Sequence, residues 1–182
     1  MRVSIRRFEK MDIPLKVEWV NNPANNSFLH YDIPIEVEKT ELWFENNLGR
    51  ADRYDGLIEM DGIPVGLIGL LSIDQKNSKA EYYILIGNTD FKGKGIAKEA
   101  SCQILNYGFF KLGLNRIYLY TEAENESAQR LFEKVGFIKE GCLKDDILSH
   151  GRYVDRYVYG ILKECWKKTH GNDISSRYGD MA

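Results

Sequence analysis

Asp90-Phe91-Lys92-Gly93-Lys94-Gly95-Ile96-Ala97 carries the sharpest chemical signal in the sequence. Glycines at positions 93 and 95 allow positive φ and let the backbone come close to a ligand. A helix predicted to start near Gly95 would set unpaired N–H groups and the positive end of its dipole beside them. That corner binds anions and suits a pyrophosphate, with Lys92 and Lys94 as added point charges. The same glycines would also serve a turn that only starts a helix. No Lys-Ser/Thr pair follows, so the turn is not a P-loop, and its spacing is not G-x-G-x-x-G. His30, His150 and His170 are scattered, as are Cys102, Cys142 and Cys165, and there is no C-x-x-C pair. The sequence therefore predicts no metal site and reduced cysteines.

The turn needs a strand before it and a helix behind it, and the surrounding patterns supply both. Lys79 to Ile86 reads as a strand, and Gly95 to Lys111 as a helix with Ile96, Ala100, Ile104 and Tyr107 at helical spacing, ended by Gly113. Upstream, Val3 to Arg6 alternates as a first strand. A helix follows from about Asp12 to Val20, with Asp12 as a cap and Asn21-Asn22-Pro23 as its break. A second helix spans Ile35 to Leu48. Strands Tyr54 to Met60 and Pro64 to Ile73 flank Asp61-Gly62, a tight-hairpin signal. Downstream come a strand at Ile117 to Thr121, a helix at Ser127 to Val135 capped by Asn125, and strands at Phe137–Leu143 and Tyr153–Leu162. The predicted architecture is α/β: one mixed, mostly antiparallel sheet with helices on both faces. Residues 1–168 form a single domain, and the polar stretch 169–182 is predicted to be a flexible tail.

The chain has 182 residues and a formal net charge of -2. That is long enough for a real core, and the balance offers no broad basic surface for nucleic acid. The N-terminus lacks the apolar region of a signal peptide, and no run approaches the ~20 apolar residues of a membrane span. A cytoplasmic location is expected.

A second motif, Asn125-Glu126-Ser127-Ala128-Gln129-Arg130-Leu131-Phe132-Glu133-Lys134-Val135-Gly136-Phe137, lies one strand beyond the glycine turn. The two together resemble the GNAT superfamily of N-acetyltransferases. In that superfamily a Gln/Arg-Gly-x-Gly-x-Gly/Ala turn precedes Asn-x-x-Ala and an aromatic-bearing helix ending in Gly-Phe. Here Lys92 stands for Gln or Arg. Trp19 with Asn21-Asn22-Pro23, Trp43-Phe44 and the ending Gly151-Arg152-Tyr153-Val154-Asp155-Arg156-Tyr157 resemble one branch of it. That branch includes ribosomal-protein alanine, spermidine and amino-sugar acetyltransferases.

The resemblance implies the acyl-CoA N-acyltransferase fold and acetyl-CoA as cosubstrate, with no metal. Tyr83, Ile84, Leu85 and Ile86 should splay from the neighbouring strand and pair with the pantetheine arm. The amides of Phe91, Lys92, Gly93, Lys94, Gly95, Ile96 and Ala97 should hold the pyrophosphate. Asn125 should contact the cofactor, and Phe132 lies where relatives carry a cofactor-facing Tyr acid. Phe132 cannot donate a proton, so Tyr82 or Tyr120 is the alternative acid, unless water or the ammonium proton serves. Glu81 is the candidate base. The acceptor should lie among Asn25–Asp32 and Lys144–Tyr153, with His30, Tyr31 and Asp145 as substrate candidates. Three functions stay open: acetylation of a small amine such as an amino sugar or polyamine, acetylation of a protein N-terminus, and a catalytically idle acyl-CoA-binding module. A homodimer is implied by resemblance alone, and neither nucleic acid nor membrane is an expected partner.

Overall fold

The computed structural model describes residues 2–170. Seven strands form one sheet: β1 (Val3–Arg7), β2 (Tyr54–Met60), β3 (Ile63–Asp74), β4 (Lys79–Ile86), β5 (Arg116–Glu122), β6 (Ile138–Ser149) and β7 (Arg152–Leu162). Their order is β1-β2-β3-β4-β5-β7-β6. Only β4 and β5 run parallel; every other neighbouring pair is antiparallel. Asp61 and Gly62 both take positive φ, 50° and 81°, as the predicted two-residue hairpin between β2 and β3 requires.

Strand alternation sends β4 side chains to two cores. Ala80, Tyr82, Ile84 and Ile86 join the larger one, beneath α4 (Ile96–Asn106) and α5 (Glu126–Val135). Tyr83 and Leu85 face the smaller one, with Ile13, Trp19, Trp43 and Phe44 from α1 (Ile13–Asn21) and α3 (Val37–Asn47). The mixed sheet with helices on both faces stands as expected. No helix among the described residues is long and apolar enough to cross a membrane.

Several local details differ from the sequence expectation. Asp12 does not cap α1 through its side chain. Its carboxylate accepts from Arg6 Nη1 and Nη2 at 2.7 and 2.8 Å and from the Glu9 N–H at 2.8 Å, so it ties β1 to the turn before α1. Asn22-Pro23 ends α1 and at once starts the short α2 (Pro23–Asn26): Asn22 Oδ1 accepts the Ala24 N–H at 2.9 Å, and proline fits a first helical position. The helix expected to reach Lys111 stops at Asn106 and continues as a wider π turn over Tyr107–Lys111. Strand β6 runs to Ser149, past the expected Leu143, through an irregularity at Leu143/Ile147 where Asp145 has φ 47°. The tail boundary also moves. Residues 163–170 form α6 (Lys163–His170), anchored by Trp166, whose Nε1 donates to Asn106 Oδ1 at 2.6 Å. The rest of the expected tail, 171–182, lies outside the described residues.

Candidate active site

The site begins where two parallel strands part. β4 pairs with β5 only at Lys79–Arg116, Ala80–Ile117 and Glu81–Tyr118. Beyond Glu81 the strands diverge, while β4 stays paired with β3 as far as Gly66–Ile86. Among the described residues, one edge of residues 82–86 therefore has no strand beside it, and its backbone polar groups are free to take an extended ligand as a strand substitute. Close packing of β3 holds this edge in place. A Cβ on Gly66 would meet Leu85 O at 2.3 Å, and one on Gly69 would meet the Tyr83 ring at 2.4 Å.

Beyond the end of β4 lies the glycine turn. Gly93 and Gly95 have φ of 75° and 81°, and a Cβ built on either meets nothing within 4 Å. The turn is thus an open cradle that favours glycine for its conformation. The amides of Phe91 and Lys92 are already used, donating to Asn88 O and Thr89 O at 3.1 and 3.2 Å. The next amide to find a backbone acceptor is that of Glu99, on Gly95 O at 3.2 Å. The donors open to an anion are therefore those of residues 93–98, a window that starts two residues later than the predicted 91–97 and ends one residue later. These open amides, together with the free β4 edge, fit a pyrophosphate joined to an extended arm. Lys92 does not point into the cradle: its Nζ donates to Ala24 O at 2.8 Å, linking the turn to α2. Lys94 Nζ lies 5.0 Å from the centre of the Phe91 ring.

A second tie binds α2 to the same corner. Asn25 Nδ2 donates to Trp19 O at 3.0 Å and to Gly87 O at 2.8 Å. Gly87 packs so closely that a Cβ there would lie 2.2 Å from the Trp19 ring.

The aromatic candidates separate. Tyr82 is buried in the larger core, its hydroxyl 2.7 Å from Ser101 Oγ, and burial pushes its pKa up. Its ring packs against Phe132 and Phe137. Phe132 is itself buried there, also in contact with Tyr159. Tyr82 thus sits among core aromatics, on the opposite face of the sheet from Glu81. Asn125 caps α5, its Oδ1 accepting the Ala128 N–H at 3.1 Å.

Glu81 and Tyr120 share the α1–α3 face at the mouth of the fork. Burial raises the Glu81 pKa, and Arg156 acts against that rise. Arg156 lies 4.7 Å from the Tyr120 ring centre and pairs with Asp146. Tyr118, which the sequence reading did not single out, stands beside Glu81 and packs edge-on against Tyr120. Alternation along β5 was the signal that could have found it.

On this same face lies a cavity of about 660 Å³, bounded by α1, α3, β4 and the segment after α2. Tyr83, Ile84 and Leu85 line it at the free edge, and so does Leu71, the strand partner of Glu81. Of the substrate candidates, Tyr31 lines this cavity. His30 is not among the lining residues; its Nε2 lies 2.8 Å from Oε1 of the buried Glu122, which also accepts from Ser149 Oγ at 2.9 Å. Asp145 is exposed on β6, and its N–H donates to Asp155 Oδ1 at 3.0 Å. Lys16, Trp43, Arg53 and Asp55 also line the cavity and were not anticipated.

Comparison with known proteins agrees with this geometry. Residues 2–138 match the family model for the acetyltransferase (GNAT) domain. The spermidine N(1)-acetyltransferase of Escherichia coli K12 is 31% identical over 153 residues, covering 83% of this chain and 81% of that protein. A Bacillus subtilis protein provisionally named a ribosomal N-acetyltransferase is 36% identical over 144 residues, 69% of this chain and 78% of its own length. The crystal structure of the Vibrio cholerae spermidine N-acetyltransferase in complex with CoA and spermine superposes with a TM-score of 0.84 at 28% identity, over 90% of this chain and 97% of that one. The chain belongs to the GNAT family and is an acetyl-CoA-dependent N-acetyltransferase.

Proposed function

We propose that this enzyme acetylates the primary amine of a small molecule, which reaches the strand fork through the cavity between α1, α3 and β4. The carrying observation is that cavity: it opens onto the free edge of β4 from the face opposite α4 and α5. The relatives named for spermidine put polyamines among the acceptors to test.

When bound, acetyl-CoA supplies the activated thioester. The amides of residues 93–98 would hold its phosphates, and the free edge of 83–86 its extended arm. A backbone N–H of that edge would also stabilise the oxyanion. Glu81 would accept the proton that the amine loses, directly or through water. Its burial keeps its proton affinity above that of an ordinary carboxylate, which suits a base working nearer neutrality. Tyr120, with no hydrogen bond to its hydroxyl among the described residues, would be the donor to the leaving thiolate. Tyr82 is a poor donor because its hydroxyl is committed to Ser101.

The test is thiol release from acetyl-CoA with spermidine, simple amines, amino sugars and N-terminal peptides as acceptors. Turnover with small amines supports the proposal. Faster turnover with peptides would replace it with N-terminal acetylation. Acetyl-CoA binding without thiol release for any acceptor would leave only an idle binding module.

A further inference from the structure

The charges lining the cavity do not all pair. Arg53 grips Asp55 through Nε and Nη2 at 2.6 and 2.8 Å, and the Tyr83 hydroxyl donates to the same carboxylate at 2.9 Å. Lys39 pairs with Glu36 at 3.2 Å. Asp32, the remaining carboxylate, is exposed at the rim. Lys16 is the exception inside: it is only 7% exposed, and its ammonium has neither an ion pair nor a hydrogen bond among the described residues. Aromatic faces hold it instead, with Nζ 3.2 Å from the ring centre of Trp43 and 5.9 Å from those of Phe8 and Tyr31. An aromatic cage of this kind could hold a substrate ammonium. Here it is filled by the protein's own cation.

A buried cation facing a cavity with no direct ion pair, its nearest carboxylate Asp55 already held by Arg53, is costly unless a ligand completes it. We propose that Lys16 receives a carboxylate on the acceptor, so that the preferred acceptors are small ω-amino acids. This rests on the small-amine reading above. The spacing follows from the sheet. The cage stands over the start of β2, where the Phe8 N–H donates to Asp55 O at 3.0 Å. Asp55 pairs with Gly69, and Gly69 with Tyr83 at the free edge. Two strand spacings, roughly 10 Å, separate the backbone beneath the cage from the free edge, so the acceptor's two charged ends must be several carbons apart. Burial brings the Lys16 pKa down to about 8, with Asp55 opposing and Arg53 assisting, so a carboxylate partner would restore the charge that burial disfavours.

The experiment compares 6-aminohexanoate, hexylamine and 1,6-diaminohexane as acceptors, with hexanoate as a ligand that lacks the amine. Their chains are alike, and their far ends are anionic, apolar and cationic. Expected kcat/KM is about tenfold higher for 6-aminohexanoate than for hexylamine, the discrimination one charge-assisted contact gives, with the diamine lowest. Lys16→Met should erase the ranking, and Lys16→Arg should keep it. A wild-type enzyme that prefers the diamine, or a preference for 6-aminohexanoate that survives in Lys16→Met, overturns the inference while small-amine acetylation stands. If no amine is acetylated, hexanoate binding, followed by tryptophan fluorescence, still decides. Binding that requires Lys16 keeps the anion site though the small-amine reading fails, and absence of binding to the wild type removes the site.

Discussion

Replacing Lys16 with methionine should stabilise the protein. Lys16 is held almost wholly out of water, and its pKa falls from 10.5 to about 8. At 1.36 kcal/mol per pH unit, that difference corresponds to about 3 kcal/mol opposing the fold at neutral pH. The Trp43 face returns part of this, about 0.5–2 kcal/mol for a desolvated cation–π contact. Methionine keeps the length of the side chain and packs well against aromatic rings. Asp55 would not be orphaned, because Arg53 and Tyr83 hold it without Lys16. The net expectation is about 2 kcal/mol, or roughly 4–8 °C in Tm for a chain of this size. The pH dependence has a definite sign. Below the folded pKa of about 8 the lysine is charged in both states, and the full cost is present. Between there and the unfolded value of about 10.4 the unfolded chain binds more protons, so wild-type stability rises with pH. The Tm gap between variant and wild type should therefore be widest at pH 6–8 and close towards pH 10. Calorimetry across that range checks it. A variant less stable than wild type at pH 7, or a gap that ignores pH, refutes the claim that burial of this charge works against the fold.

Glu81→Gln should lower turnover with little change in acetyl-CoA affinity. It should also remove an acid limb that in the wild type lies above the ordinary glutamate pKa of about 4.3, because burial raises Glu81 and the base must be deprotonated. Wild-type turnover across the pH profile in that variant would end the assignment. Gly95→Ala puts a side chain at φ 81°, costing about 1–2 kcal/mol of strain without a clash. Acetyl-CoA affinity measured by titration calorimetry should fall about tenfold or more, and unchanged affinity would remove the turn from the cofactor site. Gly87→Ala drives a methyl into the Trp19 ring and should cost about 1–3 kcal/mol by overpacking, read as a lower denaturation midpoint and an altered tryptophan emission.

How far the site could be read from the sequence depended on whether local pattern or tertiary contact decides each residue. The glycine turn, the strand before it and the Asn125 cap are local, and their types and spacing were enough. The shift of the open amides to residues 93–98 was not legible, because it depends on Phe91 and Lys92 closing a single 3₁₀ turn onto Asn88 and Thr89. His30 and Asp145 were plausible by chemistry, but their partners Glu122 and Asp155 are brought to them only by the sheet. Lys16 is the instructive miss. Ile13, Lys16, Val17 and Val20 fall at i, i+3, i+4 and i+7, so a lysine occupies one position of an otherwise apolar stripe. A charge on the buried stripe of a short helix demands a partner, and its type suggests the partner's sign. The rings that hold it arrive from the residue just after β1, from the segment after α2 and from α3. Helical periodicity alone was therefore enough to mark a cation on the buried face of α1, and only the tertiary structure showed that no carboxylate among the described residues pairs with it directly, Asp55 acting on it through its charge alone.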